Sequence, residues 1–152
     1  MCGSGLPRTY IATAQAFDAE MRARIDAHLL DRGDGWATVE APLDVAGALR
    51  AVAGVVLLDC ATLWLSNHLL AEADIEAEVA RLLAALAVCG APVVVVSNEV
   101  GWSIVPDNAL ARAFRDHQGR LNQRLAAEAG LVVAVMAGLP LVLKGVWPEG
   151  FT

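Results

Sequence analysis

His28 is the side chain in this sequence best suited to covalent chemistry. It is followed by Asp31-Arg32 and by a glycine-rich stretch, Gly33-Asp34-Gly35, that a nucleotide could enter. An imidazole is a competent nucleophile, taking a phosphoryl or nucleotidyl group when a metal ion and cations neutralise the departing pyrophosphate. A structural role competes, because a histidine late in a helix is favoured there by the helix dipole. Asp59 is the second candidate. An apolar run closing on an acid, as in Val56-Leu57-Leu58-Asp59, matches the pattern whose carboxylate helps hold nucleotide-bound magnesium. Any buried strand can also end in an aspartate that caps the next turn. Ser97-Asn98-Glu99 closes another apolar run, and its structural alternative is to cap the loop to Gly101. His68 and His117 have no such context and read as surface or packing residues.

What is missing is equally specific. Lys144 is the only lysine. A phosphate-binding P-loop needs G-x-x-x-x-G-K-[ST], with the lysine on the β/γ-phosphates and the hydroxyl on magnesium. No such motif occurs here, and Cys2-Gly3-Ser4-Gly5 is too short and lacks the cation. The arginines gather at Arg22/Arg24/Arg32 and at Arg112/Arg115/Arg120/Arg124. They could hold a small anion or form solvated helix faces.

The elements that must position these groups follow from composition and pattern. The 152 residues are enough for one domain with a single sizeable core, and one α/β domain over 1–152 is expected. With 57% hydrophobic and 18% charged residues, disorder is excluded and a well-buried sheet is implied. Seventeen acidic against eleven basic residues give a net charge of -6 with no basic block, which argues against nucleic acid as a partner. Cys2, Cys60 and Cys89 form no C-x-x-C pair and read as reduced cysteines of a cytoplasmic protein. The N-terminus shows no secretion signal, and no apolar run is long enough to span a bilayer.

Residues 9–13 form a first short strand. Asp18 is the expected N-cap of a helix from Glu20 to Leu30. A short strand at 36–40, a helix at 44–52 and a buried strand at 55–60 follow. Helices at 63–70 and 74–88 precede Val93-Val94-Val95-Val96, expected to be a fully buried strand. A long amphipathic helix covers 107–129, with Leu110, Phe114, Leu121 and Leu125 on its apolar stripe. Residues 131–136 are expected as a third buried strand, and 141–144 as a last short one after the turn Gly138-Leu139-Pro140. Alternating strands and helices predict a mostly parallel sheet with helices on both faces. In such sheets ligands sit beyond the carboxyl ends of the strands. Those ends carry Thr13 with Gln15, Asp59 with Thr62, and Ser97-Asn98-Glu99.

An ordered series of blocks resembles the bifunctional adenosylcobinamide kinase / adenosylcobinamide-phosphate guanylyltransferase family of cobalamin biosynthesis. Its first members are Tyr10-Ile11-Ala12-Thr13, Asp18-Ala19-Glu20-Met21, Arg24-Ile25-x-x-His28, Trp36-x-Thr38-Val39-Glu40 and Asp59-Cys60-x-Thr62-Leu63-Trp64. Then come Ser97-Asn98-Glu99-Val100-Gly101, Ile104-Val105-Pro106-Asp107-Asn108, Arg112-x-Phe114-Arg115-Asp116, Gly119-Arg120-Leu121-Asn122-Gln123-Arg124 and Gly138-Leu139-Pro140. The resemblance implies a P-loop NTPase (RecA-like) domain, assembled as a homotrimer. It implies phosphorylation of adenosylcobinamide with ATP or GTP, then transfer of GMP from GTP to adenosylcobinamide phosphate through a guanylylated histidine, with Mg2+ accompanying the nucleotide. It puts the nucleophile at His28, the nucleotide at Ala12, Thr13, Ala14, Leu29, Leu30, Asp31, Arg32, Glu40 and Thr62, and the metal near Asp59.

Two departures stand out. Leu29 replaces the arginine that commonly follows the nucleophilic histidine, removing one phosphate contact. Members of the family also begin with a strand running into G-G-x-x-S-G-K-S and its helix, which these residues do not contain. The expectation is a domain without its first strand and P-loop, with unpaired strand edges, no kinase step and much weakened guanylylation. The alternative is a non-catalytic nucleotide- or corrinoid-binding module that needs a partner.

Overall fold

A computed structural model describes residues 5–148; the Cys2-Gly3-Ser4 part of the short glycine-containing stretch lies outside them. Six strands and five helices follow one another along the described chain: β1 Arg8–Ala12, α1 Ala19–Arg32, β2 Ala37–Glu40, α2 Val45–Arg50, β3 Val55–Asp59, α3 Ala61–Leu70, α4 Ile75–Val88, β4 Val93–Val96, α5 Ala109–Glu128, β5 Val132–Met136 and β6 Leu139–Lys144. Four of the strands make a parallel sheet in the order β2-β1-β3-β4. Parallel neighbours need crossovers, and the helices supply them.

The helix starts are set locally. Asp18, Asp44, Asp74 and Asn108 each accept a hydrogen bond from the backbone N–H three residues on, at 2.7–3.1 Å. Each bond satisfies an amide that the first helical turn leaves without a partner. The start of β3 is fixed by close approach. Val55 N–H donates to the Pro7 carbonyl at 2.9 Å, and Gly54 sits at a φ of +79°, where any side chain would strike that carbonyl.

Strand alternation separates the two faces of the sheet. Ile11, Val56 and Leu58 point to one face, which α2, α3, α4 and α5 cover. There they pack with Val45, Leu49, Trp64, Leu65, Leu82 and Leu121 in one buried cluster. Burying such a side chain contributes roughly 1.5–3 kcal/mol, so this layer holds the domain together. Trp64 is 2% exposed, and its indole N–H donates to the Leu43 carbonyl at 2.9 Å. Tyr10, Leu57 and Asp59 point to the opposite face, where α1 lies. That helix buries no residue of its own; its contacts with the sheet are those of the site described below.

Two strand expectations are corrected. Val93-Val94-Val95-Val96 is not buried throughout: Val93 and Val95 pack on the core, while Val94 and Val96 are 44% and 39% exposed. β4 is one edge of the sheet, pairing only with β3, and its second face is open. β5 is not a third buried strand either. It pairs antiparallel with β6, and the two form a separate hairpin with Val135, Leu139 and Leu143 exposed. The expected Gly138-Leu139-Pro140 turn falls at Ala137-Gly138, because Leu139 and Pro140 already pair with Met136 and Val135. The lone lysine belongs to this region. Lys144 Nζ donates to the carbonyls of Ala126 and Ala127, at 2.9 and 2.7 Å, and so caps the C-terminal end of α5.

Candidate active site

The chemically competent groups converge at the carboxyl ends of β1 and β3, under the last turn of α1. His28 and Arg32 are four residues apart on α1 and so share one face, which looks onto Tyr10 of β1. Parallel register sets Ala12 beside Asp59, and this brings the Tyr10 and Asp59 side chains to the same side. Tyr10 O–H donates to Asp59 Oδ2 at 2.8 Å, and His28 Nε2 lies 3.1 Å from the same oxygen. The imidazole is half exposed and the carboxylate mostly covered. The Arg32 guanidinium carbon sits 3.8 Å from the centre of the Tyr10 ring, an attractive cation–π placement. Trp36 meets Tyr10 edge-on at 6.4 Å, and the Arg8 guanidinium lies 5.3 Å from the Trp36 ring. Gly35, at a φ of +87°, leaves room for Arg8 in this stack.

Charge in the site follows from burial. The Tyr10 phenol is held well above its ordinary range, chiefly by burial and then by its bond to Asp59. Cys60 is likewise raised, first by burial; it remains a thiol, with its sulfur accepting the Leu63 N–H at 3.5 Å as the α3 cap. Arg32 donates from Nη2 to Thr38 Oγ1 at 3.0 Å, but its Nε and Nη1 are buried without partners. Unpaired buried donors are costly, and a guanidinium is suited to an anionic oxygen.

Not all the expected residues meet. His28, Asp59 and Arg32 come together. Leu29 and Leu30 are exposed beside them, as is Asp31. Ala12 and Ala14 flank the end of β1 and are partly covered; Glu40 is exposed at the end of β2, next to Ala12 in register. Thr13 and Thr62 are buried struts. Thr13 is fully enclosed, and its hydroxyl accepts the Cys60 N–H and donates to the Cys60 carbonyl, both at 2.8 Å. Thr62 Oγ1 accepts the Asn98 N–H at 2.9 Å. Asn98 and Glu99 are in turn held by Asn122, whose amide donates to Asn98 O at 3.1 Å and to Glu99 Oε1 at 2.8 Å. Ser97 and the buried Gln118 complete this network.

The parts played by Tyr10, Trp36, Arg8 and Gln118 were not expected from sequence. Tyr10 had one usable signal: it lies two residues before the end of its strand, and so shares a face with that end. Among the described residues no group of three or more His, Cys, Asp or Glu gathers to hold a metal by itself, and no helix is long and apolar enough to cross a membrane.

Comparison with known proteins shows the family of the chain. The family described as cobinamide kinase / cobinamide phosphate guanyltransferase matches residues 1–143. The chain is 42% identical to the bifunctional adenosylcobalamin biosynthesis protein CobP of Pseudomonas aeruginosa, over 93% of this chain and 85% of the relative. It is 41% identical to the bifunctional adenosylcobalamin biosynthesis protein CobU of Escherichia coli, and 42% identical to that of Salmonella typhimurium. Each of those matches covers 89% of this chain and 84% of the relative.

Proposed function

Because the chain belongs to the cobinamide kinase / cobinamide phosphate guanyltransferase family, we propose that these residues serve its guanylyl-transfer step, with His28 as the group that carries GMP. One observation bears most of the weight: a half-exposed imidazole paired at 3.1 Å with a strand-end carboxylate, in a layout that asks for a nucleotide at the ends of β1 and β3. In this reading His28 takes the guanylyl group from GTP, and adenosylcobinamide phosphate then accepts it. Asp59 orients the imidazole and offsets the positive charge that the ring acquires. Arg32, with two unpartnered donors, draws in the triphosphate. Ala12, Ala14, Leu29, Leu30, Asp31 and Glu40 border the nucleotide, while Thr13 and Thr62 hold the strand ends that form its floor.

Magnesium fits this site only as a companion of the nucleotide. Asp59 is the carboxylate at the end of β3, and Mg2+ is commonly bound by one or two carboxylates together with substrate phosphates. Asp59 Oδ2 serves Tyr10 and His28, which leaves Oδ1 for the ion. Bound there, magnesium would neutralise charge on the leaving pyrophosphate.

The kinase step is assigned no machinery among these residues. They contain no G-x-x-x-x-G-K-[ST], and Lys144 is engaged with the end of α5. Phosphorylation of adenosylcobinamide with ATP or GTP is therefore proposed to be absent from these 152 residues, and guanylylation to be slow. Assembly as a homotrimer of single-domain subunits, and a cytoplasmic location, belong to the same proposal.

Incubation with magnesium and GTP labelled at the α-phosphate tests the reading. A label that His28→Ala abolishes supports it. An equal label in His28→Ala, or rapid phosphorylation of adenosylcobinamide, overturns it. The open edge and face of β4, with the hairpin outside the main sheet, favour a second reading in which the domain only binds nucleotide or corrinoid until a partner strand completes the sheet. Calorimetric binding of GTP without covalent labelling would select that alternative.

A further inference from the structure

Two donors converge on one carboxylate oxygen, and this has a consequence for the nucleophile. An ionised carboxylate only accepts hydrogen bonds. With His28 Nε2 3.1 Å from Asp59 Oδ2, the ring proton resides on Nε2, and in the neutral imidazole the lone pair is then on Nδ1. Tyr10 O–H donates to the same oxygen at 2.8 Å. The Tyr10 ring cannot easily turn away, because Arg32 lies against one face at 3.8 Å and Trp36 meets it edge-on. Tyr10 is 7% exposed, so the phenol is a fixed post rather than a mobile surface group.

We propose that Tyr10 is a positioning residue for guanylyl transfer: by fixing Asp59 it holds His28 in the Nε2–H tautomer, and Nδ1 is the nitrogen that becomes guanylylated. This rests on the reading of His28 as the GMP carrier and adds the reacting atom and a residue to it. The Nδ1 lone pair forms a bond to the α-phosphorus of GTP. The bond from that phosphorus to the oxygen bridging to the β-phosphorus breaks, and pyrophosphate leaves with the electron pair. The ring gains a positive charge, and its Nε2–H stays hydrogen-bonded to the Asp59 carboxylate. When an oxygen of the acceptor phosphate attacks the phosphorus, the P–N bond breaks and its electron pair returns to Nδ1.

The test uses the 152-residue protein with 15N-labelled histidine. Long-range proton–nitrogen correlation of the nucleotide-free protein reads the tautomer directly, whether or not the protein turns over. The expected result is a protonated Nε2 on His28, with the other tautomer growing in Tyr10→Phe. After reaction with GTP and magnesium, the same spectrum and phosphorus coupling identify the linked nitrogen, expected to be Nδ1. Tyr10→Phe keeps the ring that Arg32 and Trp36 contact and loses only the O–H. Its labelling rate should fall roughly tenfold, the effect of losing one hydrogen bond to a charged group, with GTP affinity unchanged. A protonated Nδ1 in the free protein, an Nε2 adduct, or a Tyr10→Phe rate equal to wild type each overturns this inference and leaves His28 as the carrier. A wild-type protein that takes no label overturns the carrier reading itself, and this inference with it.

Discussion

Thr13→Val replaces a hydroxyl by a methyl of nearly the same size at a fully enclosed position. The side chain bridges the end of β1 to the β3–α3 junction. Its hydroxyl accepts the Cys60 N–H and donates to the Cys60 carbonyl, both at 2.8 Å. The two losses are unequal. The carbonyl keeps a second donor, Trp64 N–H at 3.1 Å, whereas the Cys60 N–H is left buried with no partner. A stranded buried donor costs about 1–3 kcal/mol; the relieved burial of a hydroxyl offsets a little of it, and about 2 kcal/mol is expected overall. At roughly 2–4 °C per kcal/mol for a domain of this size, the melting temperature should drop by about 4–8 °C. Thermal unfolding followed by near-ultraviolet circular dichroism, which sees Trp64, is the assay. Thr13→Ser retains the hydroxyl and should lose less than half as much. A Thr13→Val protein that melts with wild type, or that keeps its stability and loses GTP binding, would refute the strut and make Thr13 a direct ligand group.

Two further outcomes follow from the same geometry. Burial raises the Cys60 thiol, so the unfolded chain releases that proton at lower pH than the folded one. Stability is then full below the ordinary thiol range, near pH ~8.5, and declines as pH rises through it. Denaturant unfolding at a series of pH values should show this slope, and Cys60→Ala should flatten it. Lys144→Met removes the donor to the Ala126 and Ala127 carbonyls. Amide exchange in the last turn of α5 should speed up about fivefold, corresponding to roughly 1 kcal/mol, while the centre of α5 stays protected.

Local physics made much of the fold legible. A helix start depends on one side chain and the amide three residues on, so Asp18 could be placed at the head of α1 from sequence, and the expected starts of α2 and α4 fell on their caps, Asp44 and Asp74. α5 differs by a residue because Asn108, not Asp107, supplies the cap. The apolar runs were less informative. Val93-Val94-Val95-Val96 announces a strand with an affinity for cover, but hydrophobicity does not say how many faces other elements reach. Residues 131–136 likewise read as a buried strand, although their ladder pairs with β6 alone. At the site, His28, Asp59 and Arg32 could be picked out by chemical type and position. Tyr10 could not, because its partner lies 49 residues away and meets it only through the parallel register of β1 with β3. Thr13 stands at the end of β1 as expected and Thr62 in the first turn of α3, yet whether a hydroxyl there faces a ligand or a neighbouring backbone group depends on packing that spacing alone does not encode.

In the proposed reaction His28 is the group to which GMP becomes attached. Mass spectrometry of the tryptic peptide spanning residues 25–32, after the protein has reacted with GTP and magnesium, tests it most directly. The expected peptide is heavier by one GMP residue, with the adduct lost in acid, retained in alkali and located on His28. An unmodified peptide alongside a GMP adduct elsewhere in the chain would contradict it.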